Sequence, residues 1–146
     1  MIVYADSSVL ARAYLSDEPY HREARSLLED PDVLLVTGSW TDIEVSGALV
    51  RAARGHRGDV QTLLNAWDSH TDPDGGLITL LTAPQEKVEA LALRIVREHG
   101  LRARDAWHVS VASLVVPELA DGEPYGFASR DKAQAEIAAG YGFLVV

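Results

Sequence analysis

IVYADSS, residues 2–8, opens as a short apolar run and closes on an acid followed by two serines. Its first four residues, 2–5, read as a buried strand. Asp6 comes directly after that strand, so the fold turns on what the chain does next. Helix-period segments follow at about 8–16 and 20–29, and a second apolar run, VLLV, occupies 33–36. A strand that returns to the sheet through helices is a crossover, and crossovers join parallel strands.

The same alternation continues to the end of the chain. Ser39 is a candidate N-cap for a helix reaching about Arg54, with Asp42 three positions on as an imperfect capping box. Gly55 and Gly58 bracket the break after it. Val60, Leu63, Leu64 and Trp67 form an i, i+3, i+4, i+7 stripe, predicting an amphipathic helix over 59–70. DPDGG at 72–76 is a turn, and 77–81 a third strand. Pro84 suits the first turn of a helix ending before Gly100, with Val88, Leu91, Ala92 and Ile95 on one face. A further helix is expected over 104–116, closed near Pro117, then a strand at 125–128, a helix at 131–139 ended by Gly140, and a last strand at 143–146. Strands alternating with helices predict an α/β fold with a mainly parallel sheet.

The chain has 146 residues, enough for one cored domain, so residues 1–146 are expected to form a single unit. Apolar residues make up 47% and charged residues 24%, within the soluble globular range. No stretch approaches a membrane span, and the opening lacks the marks of a signal peptide. A cytoplasmic protein beginning at or near Met1 is expected. There are no cysteines, which excludes disulfides, thiolate metal sites and cysteine nucleophiles. Any metal would be held by oxygen or imidazole, and a carboxylate-rich site favours Mg²⁺ or Mn²⁺. The net charge of −9 argues against general coating of nucleic acid. Arginine outnumbers lysine eleven to two, and arginine is the better phosphate fork.

Four acids fall toward one edge of this sheet. Asp6 and Asp131 follow the strands ending at residues 5 and 128, and ligands bind beyond the carboxyl ends of parallel strands. Glu44 lies in the first turns of the third helix and Asp105 at the start of the sixth. Crossover helices run roughly antiparallel to their strands, so those N-termini meet the same edge. Each acid also has an ordinary reading. Asp6 and Asp131 are placed to cap the helices that follow them, and Glu44 and Asp105 to offset helix dipoles. Together, packed carboxylates repel and raise each other's pKa, which a divalent cation relieves.

YADSS at 4–8, EVSGALVR at 44–51, RDAWH at 104–108 and ASRD at 128–131, with GYGFLVV closing the chain, follow one another in order over nearly its whole length. In these pieces the chain resembles the PIN-domain nucleases, in particular the VapC-type toxins of bacterial toxin–antitoxin pairs. The resemblance implies an α/β/α sandwich and a metal-dependent endoribonuclease that hydrolyses RNA phosphodiester bonds. It implies an acidic pocket for Mg²⁺ or Mn²⁺, with Asp6 and Asp105 as main ligands and Glu44 and Asp131 holding ion-bound waters or a second ion. The stretch VVPELADGEPYG at 115–126 departs from the family by its length. Ser8 and Ser129 become candidate water-positioning hydroxyls, or else ordinary turn and capping serines. His108 reads as a structural hydrogen-bonding histidine rather than a general base, and Trp67 and Trp107 as core or interface aromatics.

Arg51 lies two turns after Glu44 on nearly the same face, a candidate substrate contact or a solvated helix position; Arg12, Arg54 and Arg57 are further local cations. The resemblance also implies a homodimer and a VapB-type antitoxin packing near Leu10, Tyr14, Leu27 and Leu28, positions that read equally as core. Two rival readings stay open: a Mg²⁺-dependent phosphatase or phosphotransferase using Asp6 as nucleophile, and a non-catalytic PIN-like module that binds RNA or protein.

Overall fold

In the computed structural model, which describes all of residues 1–146, side chains of the first strand alternate between two apolar layers. Strand β1 (Ile2–Ala5) points Val3 and Ala5 to one side and Tyr4 to the other, the period-2 geometry of a pleated strand. The remaining strands are β2 (Leu34–Gly38), β3 (Ile78–Leu81), β4 (Tyr125–Ala128) and β5 (Leu144–Val145). They form a five-stranded sheet in the order β3-β2-β1-β4-β5, and every pairing is parallel. Ala5 pairs with Ala128 and Tyr4 with Val36, so the ends of β1, β2 and β4 lie side by side.

Helices cover both faces. On one side α1 (Ser7–Arg12), α2 (His21–Glu29), α3 (Trp40–Arg54) and α4 (Val60–His70) bury Leu10, Leu28, Leu49 and Trp67 against Val3, Leu35 and Ile78. On the other, α5 (Gln85–His99), α6 (Ala103–Ala120) and α7 (Lys132–Gly140) bury Ile95, Val109 and Ala138 against Tyr4, Val36 and Phe127. This is the α/β/α sandwich with a parallel sheet that the sequence predicts. No helix is long and apolar enough to cross a membrane.

Several local expectations are corrected. The first helix ends at Arg12, because the N–H groups of Ala13, Tyr14 and Leu15 bond carbonyls three residues back and tighten the chain into turns. Ser39 makes no side-chain cap; its own backbone is already helical, which turns the hydroxyl away from the helix N–H groups. Asp42 instead accepts the indole N–H of the buried Trp67 at 2.8 Å. The sixth helix continues through Pro117 to Ala120, where Asp121 and Gly122 take left-handed conformations and end it. The extra residues of 115–126 are therefore partly helix, and β4 stays in register with β1. Leu10 and Leu28 are buried in the core and offer no docking surface, whereas Tyr14 and Leu27 are half-buried.

Candidate active site

The acid that follows β1 is fixed by the chain on either side of it. The backbone N–H of Asp6 donates to the Ala128 carbonyl at 3.2 Å, extending the β1–β4 ladder by one rung. Its side chain caps α1: Oδ1 accepts the Val9 N–H at 3.0 Å and the Ser8 hydroxyl at 2.8 Å. The capping reading of Asp6 is thus correct, and it leaves Oδ2 with a single long contact, 3.5 Å from Ser129 Oγ. Asp6 is only 4% exposed. Burial pushes its carboxyl above the ordinary range, and the nearby Asp105 charge adds to that push; the Val9 N–H, His108 and the Ser8 hydroxyl work against it.

Asp131 likewise caps α7, accepting the Gln134 N–H at 2.9 Å. Its own N–H donates to Ser129 Oγ at 3.0 Å. Ser129 in turn donates to Gln134 Oε1 at 2.6 Å, and Gln134 Nε2 reaches the Asp105 carbonyl at 3.2 Å. Gln134 is fully buried and ties α7 to the start of α6. Ser129 is thereby a structural link between Asp6 and Asp131, whatever further role it has.

Glu44 leaves α3 one turn in and is held at both oxygens. Oε1 lies 2.8 Å from His108 Nε2, and Oε2 accepts the Ser7 hydroxyl at 3.0 Å with Arg104 Nε at 3.4 Å. Burial acts to raise this carboxyl, but the hydrogen bond and pull of His108, then Ser7 and Arg104, outweigh it and hold the group below the ordinary range. Asp105 occupies the first turn of α6 and is 5% exposed. Arg102 Nε contacts its Oδ2 at 3.1 Å and Arg104 Nε its Oδ1 at 3.9 Å. Arg102 also reaches Asp131 at 3.7 Å.

The four predicted acids therefore share one network at the carboxyl edge of the sheet. Arg104 bridges Glu44 to Asp105, Arg102 bridges Asp105 to Asp131, and Ser129 joins Asp131 to Asp6. As the side chains stand, no three histidine or acidic groups are close enough to hold one metal ion. The donor chemistry fits a hard divalent cation: all four acids offer carboxylate oxygen, and the buried Asp6 feels the charge of Asp105. The bridging arginine side chains are 74% and 57% exposed, so they ride on free stems rather than forming a fixed wall.

Ser7, Arg102, Arg104, Gln134 and Tyr4, whose Oη lies 2.8 Å from His108 Nδ1, belong to this network and were not singled out from the sequence. Gln134 carried a signal, since Asp131 and Gln134 have capping-box spacing. Arg102 and Arg104 precede Asp105 closely in sequence and so sit beside it in space. Arg51 lies outside the network, one turn beyond Gly47 on α3. Ser8 touches Asp6 only through its cap. Trp67 is a core residue, and Trp107 packs its ring flat against the exposed Trp40, with centroids 4.8 Å apart.

A search of curated proteins returns no significant match. Among solved structures the chain is similar in fold to a chain of VapBC2 from Rickettsia felis bound to a DNA fragment from their promoter. That match has a TM-score of 0.62 at 10% identity and covers 100% of this chain and 98% of the other. The sequence matches the PIN domain family over residues 3–140, nearly its whole length, and on that ground the chain belongs to the PIN-domain family.

Proposed function

We propose that this chain is a metal-dependent endoribonuclease, a single nuclease domain over residues 1–146, acting as the toxin of a VapBC-type pair in the cytoplasm. The observation that carries the reading is the joining of Asp6, Glu44, Asp105 and Asp131 in one network beyond the ends of β1 and β4. Membership of the PIN family and a fold like that of a VapBC2 chain support it.

Asp6 and Asp105 would hold a Mg²⁺ or Mn²⁺ ion, with Glu44 and Asp131 fixing waters around it. Such an ion supplies charge to neutralise a scissile phosphate and to acidify a bound water. The protein's part is position. The α1 cap leaves Asp6 Oδ2 nearly unengaged, and His108 and Ser7 clamp both oxygens of Glu44. Arg102 and Arg104, whose guanidinium groups now bridge the acids, would turn to phosphate oxygens when the carboxylates take metal. An antitoxin segment carrying a basic side chain would inhibit by competing for the same carboxylates, and a homodimer is expected.

Incubation of the purified protein with transfer, ribosomal and messenger RNA pools tests the reading. Cleavage should appear with Mg²⁺ or Mn²⁺, stop with a chelator, and be lost in Asp6→Asn and Asp105→Asn. Metal-independent cleavage, or wild-type rates in both variants, would overturn it. Light scattering at monomer mass would remove the dimer alone.

A further inference from the structure

Beside the acid network, Ser8, Arg12, Glu18, Arg51 and Arg57 line a cavity of about 380 Å³ between α1 and α3. Its cations are not equivalent. Arg57 is spent on Asp17 and Glu18, at 2.7–2.8 Å. Arg12 and Arg51 have no carboxylate within 4 Å. Arg12 is half-buried, and its Nη1 is buried without any hydrogen-bond partner. In a chain of net charge −9, a half-buried guanidinium left without a counter-charge is a cost that an incoming anion would relieve.

What holds Arg12 in place does not neutralise it. Its guanidinium lies 5.6 Å from the centroid of the Tyr20 ring, and that of Arg130 lies 4.6 Å from the same centroid. A ring face orients a cation while leaving its charge available. Arg51 is kept close to α3 by the bare backbone of Gly47, where a Cβ would stand 3.0 Å from Nη1. Ser8 joins the two regions, since it lines the cavity and donates to Asp6 Oδ1 at 2.8 Å.

We infer that this cavity is a phosphate subsite, in which Arg12 and Arg51 bind a backbone phosphate of single-stranded RNA next to the one at the acids. The inference rests on the nuclease reading above and adds the direction in which the substrate strand leaves the site. A nucleic-acid strand fits better than an acidic peptide because Ser8 ties the cavity to Asp6, where the reading above places the scissile phosphate of the same strand. One anion can lie at the acids while its neighbour lies past Ser8.

The test is the anisotropy of a short fluorescein-labelled single-stranded RNA, titrated with wild type, Arg12→Gln, Arg51→Gln and the double variant, in chelator and over a range of salt. Arg51 is exposed, so Arg51→Gln reads the subsite even if Arg12→Gln fails to fold. Each single variant should flatten the fall of log K with log salt, and the double variant, which loses the one phosphate contact, should flatten it by about 0.7. Unchanged affinity and slope in Arg51→Gln would overturn the subsite. Binding of poly-glutamate that both substitutions abolish, with RNA binding intact, would do the same and mark the cavity as a protein-docking site. Arginine-dependent RNA binding with no cleavage in Mg²⁺ would keep the subsite and sink the nuclease reading instead.

Discussion

His108 Nε2 and Glu44 Oε1 stand 2.8 Å apart, joining the second turn of α6 to the first turns of α3 across the end of the sheet. The carboxylate only accepts, so Nε2 is the protonated nitrogen. On the other side of the ring, Nδ1 lies 2.8 Å from Tyr4 Oη, which accepts the Gly38 N–H at 3.1 Å. The histidine is 1% exposed, and both nitrogens are engaged. It is a positioning residue, in keeping with the hydrogen-bonding reading of its place three residues after Asp105.

His108→Asn should lower kcat for metal-dependent RNA cleavage by about 10–100-fold, the usual cost of losing a partner that orients a ligand. KM should be little changed, since Glu44 would be misaimed rather than removed. Tyr4→Phe should give a smaller loss in the same direction. Wild-type kcat in His108→Asn would show that Glu44 needs no such support.

Pro117 should be a stability liability. It lies within α6, where a proline removes the bond its N–H would give the carbonyl of Ser113, and Ser113 Oγ is itself buried without a partner. Pro117→Ala restores that bond at the cost of a looser unfolded chain. The net gain should be about 1–2 kcal/mol, read by urea denaturation. A loss of stability would mean that the local geometry of α6 depends on the proline.

The site was legible where a local signal coincides with a topological one. Asp6 and Asp131 could be placed because each follows a strand end, and a parallel sheet gathers such ends. Their capping role and their place at the shared edge turn out to be one arrangement, since a cap at the start of a crossover helix must sit at that edge. What the sequence did not disclose are contacts between segments distant along the chain: Ser7 with Glu44, Gln134 with the Asp105 carbonyl, Tyr4 with His108. Side-chain period does not encode such pairs.

The fold errors have a similar origin. Ser39 carries the residue type of a cap, but the tertiary bond from its N–H to the Leu81 carbonyl sits with a helical backbone that forbids one. Pro117 reads as a stop, yet the packing of Val116 and Ala120 in the core carries α6 past it. Tertiary contacts override a local preference in both cases, one worth about 1 kcal/mol for the cap and about 3 kcal/mol for the proline.

Stability should also show a dependence on pH from His70. Its Nδ1 lies 2.7 Å from Tyr14 Oη. Burial depresses the histidine below its ordinary value and the positive charge of Arg25 adds to this, while Glu29 opposes it. The folded ring therefore holds a proton less tightly than the unfolded chain. The stability tied to this pair is full above about pH 6.5 and is lost as pH falls through the lower folded value. His70→Gln, which does not titrate, should melt with a flatter dependence on pH in that window. Identical slopes for the two proteins would show that the pair is not coupled to folding.

Asp6 gives the complementary sign. Its carboxyl is raised by burial and by the Asp105 charge, so the ionised group opposes folding at neutral pH in the absence of metal. Asparagine keeps the cap to Val9, because it serves the N-cap as well as aspartate does, and it removes the charge. In chelator, Asp6→Asn should therefore melt above wild type. Added Mg²⁺ should raise the melting point of wild type by mass action and leave the variant nearly unmoved. The two effects have one cause, a buried negative charge that either a cation or its own removal relieves. A variant that melts below wild type in chelator, or that gains as much from Mg²⁺, would mean that the charge on Asp6 is already balanced by the Val9 N–H, Ser8 and His108.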